Sequence, residues 1–217
     1  MSIASLFDLT GRSVLVTGAA SGLGLAYAET MLEAGARTLM TDMDAQALDT
    51  EVQRLKSRYP LVEGATLDVA DATAVDALVD GMAQRHGAID CVFANAGISA
   101  GRGFVVEAGQ LENIDLAHWD KVLRINLDGV LHTVRAAARH MKPRREGRIV
   151  VTTSIAGLRS ESLSGYAYVT SKAAANNLVR QAAMELAPHN VLVNAIAPGP
   201  FATNINGGRL RLPESAE

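Results

Sequence analysis

Thr17-Gly18-Ala19-Ala20-Ser21-Gly22-Leu23-Gly24 follows directly on the apolar run at 13–17 and opens a stretch of helical period. Glycines in such a turn let the chain reverse tightly, let a phosphate approach the backbone, and let the next helix pack close on the sheet. The N-terminus of that helix then faces the phosphate. A glycine cluster in one strand-to-helix turn carries little weight alone, so its place in the wider pattern matters. Outward from it, Val- and Ile-rich runs at 13–17, 37–41, 62–67, 90–94, 148–153 and 191–196 alternate with helical stretches at 23–34, 45–59, 72–86, 119–141 and 166–186. That alternation predicts an α/β fold, a doubly wound parallel sheet of six strands in a three-layer sandwich. Asp44 and Asp71 stand where helix N-caps belong, and each strand is nearly all apolar, as expected where helices cover both faces.

The 217 residues suit a single domain spanning 1–217, with 204–217 an irregular tail. Hydrophobic residues make up 48% and charged ones 20%, which excludes a disordered chain, and no apolar run reaches the ~18 residues of a membrane span. Lys+Arg 20 against Asp+Glu 23 leaves a net charge of -3 with 4% aromatics, so neither a basic footprint nor a stacking platform for nucleic acid is present. The first ten residues include Asp8 and lack a secretory signal, so a cytoplasmic location is expected. Cys91 sits in an apolar setting and reads as a buried, inert thiol. The five His residues are scattered and have no Cys partners, so no metal site is expected.

The second strand ends at Asp42, roughly 20 residues beyond the glycines, where a carboxylate meets adenosine ribose hydroxyls. Asp44 is at hand to cap the helix, which leaves Asp42 for a ligand. With Thr17, Gly18, Gly22 and Gly24 in place, the chain resembles the short-chain dehydrogenase/reductase family. Further motifs follow in the family's order: Asp68-Val69, Asn95-Ala96-Gly97, Asn126, Ser154, Tyr168-Val169-Thr170-Ser171-Lys172, and Pro198-Gly199 with Thr203. The resemblance implies a Rossmann-type fold and NAD as cofactor. It places the cofactor on Gly18, Ser21, Gly22, Leu23, Gly24, Asp42, Asp68, Val69, Asn95, Gly97, Tyr168, Lys172, Pro198, Gly199 and Thr203. NAD is expected to be preferred over NADP, because Asp42 would repel a 2′-phosphate, the turn contains no cation, and Arg37 begins the strand too far away.

The resemblance also assigns catalysis to Asn126, Ser154, Tyr168 and Lys172, with a secondary alcohol or ketone as substrate. Residues four apart share a helix face, so Tyr168 and Lys172 can meet, and a nearby ammonium would draw the phenol toward ionisation. That spacing is common, and such a pair on an exposed face is usually only solvated. Tyr166 has Thr170 four residues on and is given a packing or pocket role. Ser154 would hold and polarise the substrate oxygen, its plainer reading being a turn cap. Asn126 is awkward inside a helix unless its side chain binds a water leading to Lys172, a capped kink being the duller alternative.

Two features depart from the family. The tail at 204–217 has no strand-length apolar run, so the family's seventh strand is expected to be missing, leaving the sixth as an edge. The connection at 99–115 is long; Phe104 and Glu107 within it are as consistent with a solvent-facing lid as with substrate contact. Helices 119–141 and 166–186 match those through which the family associates, so a homodimer or homotetramer is expected. A catalytically weak NAD-binding protein stands as the alternative function. An epimerase or dehydratase of the extended branch fits less well, because its glycine spacing differs.

Overall fold

The computed structural model describes residues 6–201 and 205. Six strands, β1 (Ser13–Thr17), β2 (Arg37–Asp42), β3 (Val62–Thr66), β4 (Cys91–Ala94), β5 (Gly147–Thr152) and β6 (Val191–Ile196), form one parallel sheet in the order β3-β2-β1-β4-β5-β6. The connection reverses direction between β1 and β4, and a crevice opens there at the carboxyl ends of the strands. Helices α1 (Gly22–Glu33) and α2 (Ala45–Lys56) cover one face, with Val14, Val16, Ala28, Leu32, Met40 and Leu48 in the core beneath. On the other face α3 (Ala72–His86), α5 (Gly129–Arg144) and α6 (Tyr166–Leu186) pack over Leu15, Val79, Met82, Val92, Ile149 and Val151.

All five residues of β1 are buried, as a two-sided cover demands. The outer strands differ from the expectation. In β6, Val191 and Val193 are buried while Leu192 and Asn194 are exposed, and in β3 only Val62 is fully inside. Among the described residues α1 and α2 reach only the β3, β2, β1 and β4 side of their face, so β6 keeps the alternation of a half-covered strand.

Asp44 caps α2 by accepting from the Ala47 amide at 3.0 Å, and Asp71 caps α3 by accepting from Thr73 and Ala74. The helix expected at 119–141 starts earlier and runs further. Asp115 accepts from the amides of Ala117 and His118 and so starts α4 (Leu116–Leu123), which passes through one π turn (Arg124–Asp128) into α5. Leu116 is exposed, so the first turn has no apolar period to betray it. Segment 99–115 forms two 3-10 turns, Glu107–Gly109 and Leu111–Asn113, and Arg102 bridges to Ser164. At the end of the sheet remote from the crevice, buried Asp90 accepts from the Ser13 amide and from Arg144, tying β1, β4 and α5 together.

Among the described residues no helix is long and apolar enough to cross a membrane, and no cluster of side chains suits a metal ion. Burial pushes the Cys91 thiol up to about 12, which keeps it unreactive near neutrality. The tail and its expected missing strand lie outside the described residues, apart from Ile205.

Candidate active site

The crevice at the β1 and β4 ends is a cleft of about 520 Å³. Its floor is built by two turns that lock together. The Thr17 hydroxyl accepts from the amides of Asn95 and Ala96 at 3.0 and 3.1 Å and donates to the Phe93 carbonyl, using its full bonding capacity. The Asn95 amide group donates back to the carbonyls of Thr17 and Gly18. The contact is so close that a Cβ at Gly24 would stand 2.1 Å from the Gly18 carbonyl oxygen, and one at Gly18 would stand 2.7 Å from Ala96 Cα. Gly18 and Gly22 also have φ of +65° and +56°, the left-handed region that glycine alone adopts readily. The Ser21 side chain leaves the N-terminus of α1 uncapped, so the first amides of that helix and the hydroxyl are available to an anion.

The expected cofactor residues Gly18, Ser21, Gly22, Leu23, Asp42, Asp68, Val69, Asn95, Gly97, Tyr168, Lys172, Pro198 and Gly199 all line this one cleft. Gly24 lies beneath it, and Thr203 falls outside the described residues. Asp42 also has partners within the chain. Its carboxylate accepts from the Ala20 amide of the glycine turn and from the Asp44 amide, both at 3.1 Å, so it braces the turn it faces. Its oxygens keep further lone pairs for a ribose. Arg37 is committed to the His86 ring at 2.8 Å, away from any phosphate. His132 donates to the Val69 carbonyl, fixing the turn that carries Asp68 and Val69. The Pro198 carbonyl accepts from the Ile155 amide and anchors the last cleft segment.

Ser154 and Tyr168 line the same cleft. Ser154 is also the turn cap of its plainer reading, because its hydroxyl oxygen accepts from the Ala156 amide at 3.1 Å. Lys172 lies one turn beyond Tyr168 and is 2% exposed. Its ammonium donates to the Thr152 carbonyl at 2.8 Å and stands 5.7 Å from the centre of the Tyr168 ring. Two glycines make this burial feasible. A Cβ at Gly157 would meet the Lys172 backbone at 2.5 Å, and one at Gly97 would sit 3.5 Å from Nζ and 3.2 Å from Asn126 Oδ1.

Asn126 occupies the π turn and is wholly buried. Its Oδ1 accepts from the Ile98 amide at 2.8 Å, and its Nδ2 donates to the Ile98 carbonyl and to Ser171 Oγ. Ser171 in turn donates to the Tyr168 carbonyl. Both amide hydrogens are therefore used, and the side chain braces the β4 turn against α6, while Oδ1 keeps one lone pair beyond the Ile98 amide. Thr17, Gly157 and Ser171 were the residues that sequence reading left without a role; only Thr17, at the strand end before the glycines, carries a sequence signal. Tyr166 packs on Phe104, with ring centres 6.5 Å apart, and neither Phe104 nor Glu107 lines the cleft.

Electrostatics in the site run against the simple expectation. Burial raises the Tyr168 phenol above its usual value, the Ser154 hydroxyl pulls the other way, and the charge of Glu161 raises it further. Burial lowers the Lys172 ammonium to about 8. An ammonium with one acceptor, an uncapped helix end and a glycine cradle together suit a large anionic ligand with ribose hydroxyls, so the residues present fit a dinucleotide.

Lys172 titrates lower in the folded chain than in the unfolded one, so between pH ~8 and ~10.5 the unfolded state holds more protons and stability rises with pH. Lys172→Met should remove that rise. Urea unfolding of the cofactor-free protein should show the variant gaining on the wild type near pH 7 and losing that advantage by pH ~10, a swing on the order of 3 kcal/mol. A constant difference across this range would contradict a charged, desolvated Lys172.

Residues 12–211 match the family model described as short chain dehydrogenase. The chain is 34% identical over 210 residues to gluconate 5-dehydrogenase of Gluconobacter oxydans (strain 621H), covering 94% of this chain and 77% of that one. It is 36% identical over 208 residues to cyclohexanol dehydrogenase of Rhodococcus sp. (strain TK6), covering 90% and 76%. A crystal structure of a short chain dehydrogenase/reductase from Burkholderia phymatum in complex with NAD superposes with a TM-score of 0.85 at 31% identity, covering 95% of this chain and 72% of that one. The interlocked glycine turn, the switch-point cleft and this match along nearly all of its length place the chain in the short chain dehydrogenase family of oxidoreductases.

Proposed function

We propose that the protein is an NAD-dependent dehydrogenase that interconverts a secondary alcohol and a ketone, with Tyr168 as general acid and base. The observation that carries this reading is Ser154 and Tyr168 lining one cleft with the buried Lys172 ammonium one helical turn behind. The glycine turn and the first amides of α1 would hold the diphosphate, Asp42 the adenosine ribose, Asp68 and Val69 the adenine, and Lys172 the second ribose. When bound, the nicotinamide supplies the hydride acceptor or donor. Ser154 orients and polarises the substrate oxygen. Tyr168 takes the hydroxyl proton at its phenolic oxygen in oxidation and returns it in reduction. Lys172 favours the phenolate by charge, and Asn126 positions the helix that carries both. Support for NAD comes from the NAD-bound neighbour of the same fold and from the acidic, cation-poor end of β2. The reading includes one domain and a homodimer formed on the α5 and α6 face, where Leu131 is exposed in an apolar groove.

Tyr168→Phe keeps the ring and deletes the proton acceptor. Turnover of secondary alcohols, followed by absorbance of reduced nicotinamide, should fall at least ~10³-fold, while the dissociation constant for NADH changes by no more than a few fold. Retention of most of the activity would remove Tyr168 from the chemistry and leave the weak dinucleotide binder as the better reading.

Cofactor choice rests on Asp42. NADH should bind clearly more tightly than NADPH by fluorescence titration, because a 2′-phosphate would meet a carboxylate of like sign. Asp42→Ala should weaken NADH, since the Ala20 amide loses its acceptor as well, and should narrow the gap between the two cofactors. Equal or tighter NADPH binding by the wild type would overturn the assignment.

A further inference from the structure

The segment between β5 and α6 carries a carboxylate that none of these roles uses. Glu161 lines the cleft together with Ser154, Leu163, Ser164 and Tyr168, and its charge acts on the Tyr168 phenol. Its Oε1 is shielded from solvent and, among the described residues, has no hydrogen-bond partner. A carboxylate oxygen withdrawn from water without a donor is costly, and a ligand that brings a donor removes that cost. The other charged residues lining the cleft are placed elsewhere. Asp42 and Asp68 follow β2 and β3 on the cofactor side, and Lys172 is bound to the Thr152 carbonyl.

We infer that Glu161 determines substrate specificity by accepting a hydrogen bond from a second hydroxyl on the substrate, so that the site selects diols and polyols over alcohols with a single hydroxyl group. The inference rests on the alcohol-oxidising reading above. A hydroxyl fits better than an ammonium, because a substrate cation next to Tyr168 would also lie near the Lys172 ammonium. A substrate carboxylate at that position would be repelled by Glu161 itself. The field of Glu161 reaches the reacting region, since it raises the Tyr168 phenol.

The test uses the full chain with saturating NAD and compares kcat/KM for cyclohexanol, cyclohexane-1,2-diol, cyclohexane-1,3-diol and 2-aminocyclohexanol. The wild type should favour at least one diol over cyclohexanol by about tenfold or more, the scale of one charged hydrogen bond. In Glu161→Ala the ratio should collapse toward one, chiefly through a higher KM for the diol. Glu161→Gln keeps an acceptor and should retain part of the preference. It should also move the rise of kcat/KM with pH to lower pH, because the negative charge beside Tyr168 is gone. A diol preference that is absent from the wild type, or that persists in Glu161→Ala, overturns this inference alone, as does an amino alcohol that outruns both diols. Failure of the wild type to oxidise any alcohol, however tightly it binds NADH, overturns the alcohol-oxidising reading and this inference with it.

Discussion

A lysine ammonium buried to 2% exposure on one carbonyl acceptor is the constraint around which the rest of the site is arranged. Burying such a charge is expensive, and the sequence meets the demand with small residues and backbone oxygen. Gly157 lets α6 come against the turn after β5, so that the Thr152 carbonyl can reach Nζ, and Gly97 keeps the space between Nζ and Asn126 open. The cost appears as titration. The ammonium falls to about 8, while the phenol of Tyr168 is pushed above its usual value by burial. The amine therefore loses its proton before the phenol can ionise.

The scaffold holds that pair through two polar hubs. Thr17 and Asn95 fasten the β1 and β4 turns to each other through bonds from their side chains to the main chain, across a contact that leaves no room for side chains at Gly18 or Gly24. Asn126 fastens the β4 turn to α6 through Ile98 and Ser171, and Ser171 reaches the carbonyl of Tyr168 itself. The π turn that carries Asn126 inserts the extra residue needed to point its amide at a loop. The glycine turn and the helix that carries Tyr168 and Lys172 are thereby set relative to each other by buried hydrogen bonds, while the apolar core supplies the bulk of the stability.

The sheet was readable because its central strands are unbroken apolar runs between capped helices, and Asp44 and Asp71 announced the caps. Where cover is one-sided, as in β6, the sequence alternates more than a two-sided strand should, and Asn194 was the visible clue. The start of α4 was hidden because its capping Asp115 is followed by an exposed Leu116 instead of a buried one. The site was largely legible through motifs, since Gly18, Asn95, Ser154, Tyr168 and Lys172 meet in one cleft. Burial and partners were not. Sequence spacing says that Tyr168 and Lys172 share a helix face, but only packing decides that the lysine is desolvated and that Asp42, Ser154 and Asn126 already serve backbone amides.

Titrating the Tyr168 phenol by ultraviolet difference absorbance, with Tyr168→Phe as the blank, tests the central claim most directly. In the cofactor-free protein the phenolate should form only above the usual tyrosine range of about 10, and saturation with NAD should move its formation to lower pH. A midpoint that already lies below that range in the free protein, or that does not move when NAD binds, would contradict a phenol that burial keeps protonated until the cofactor arrives.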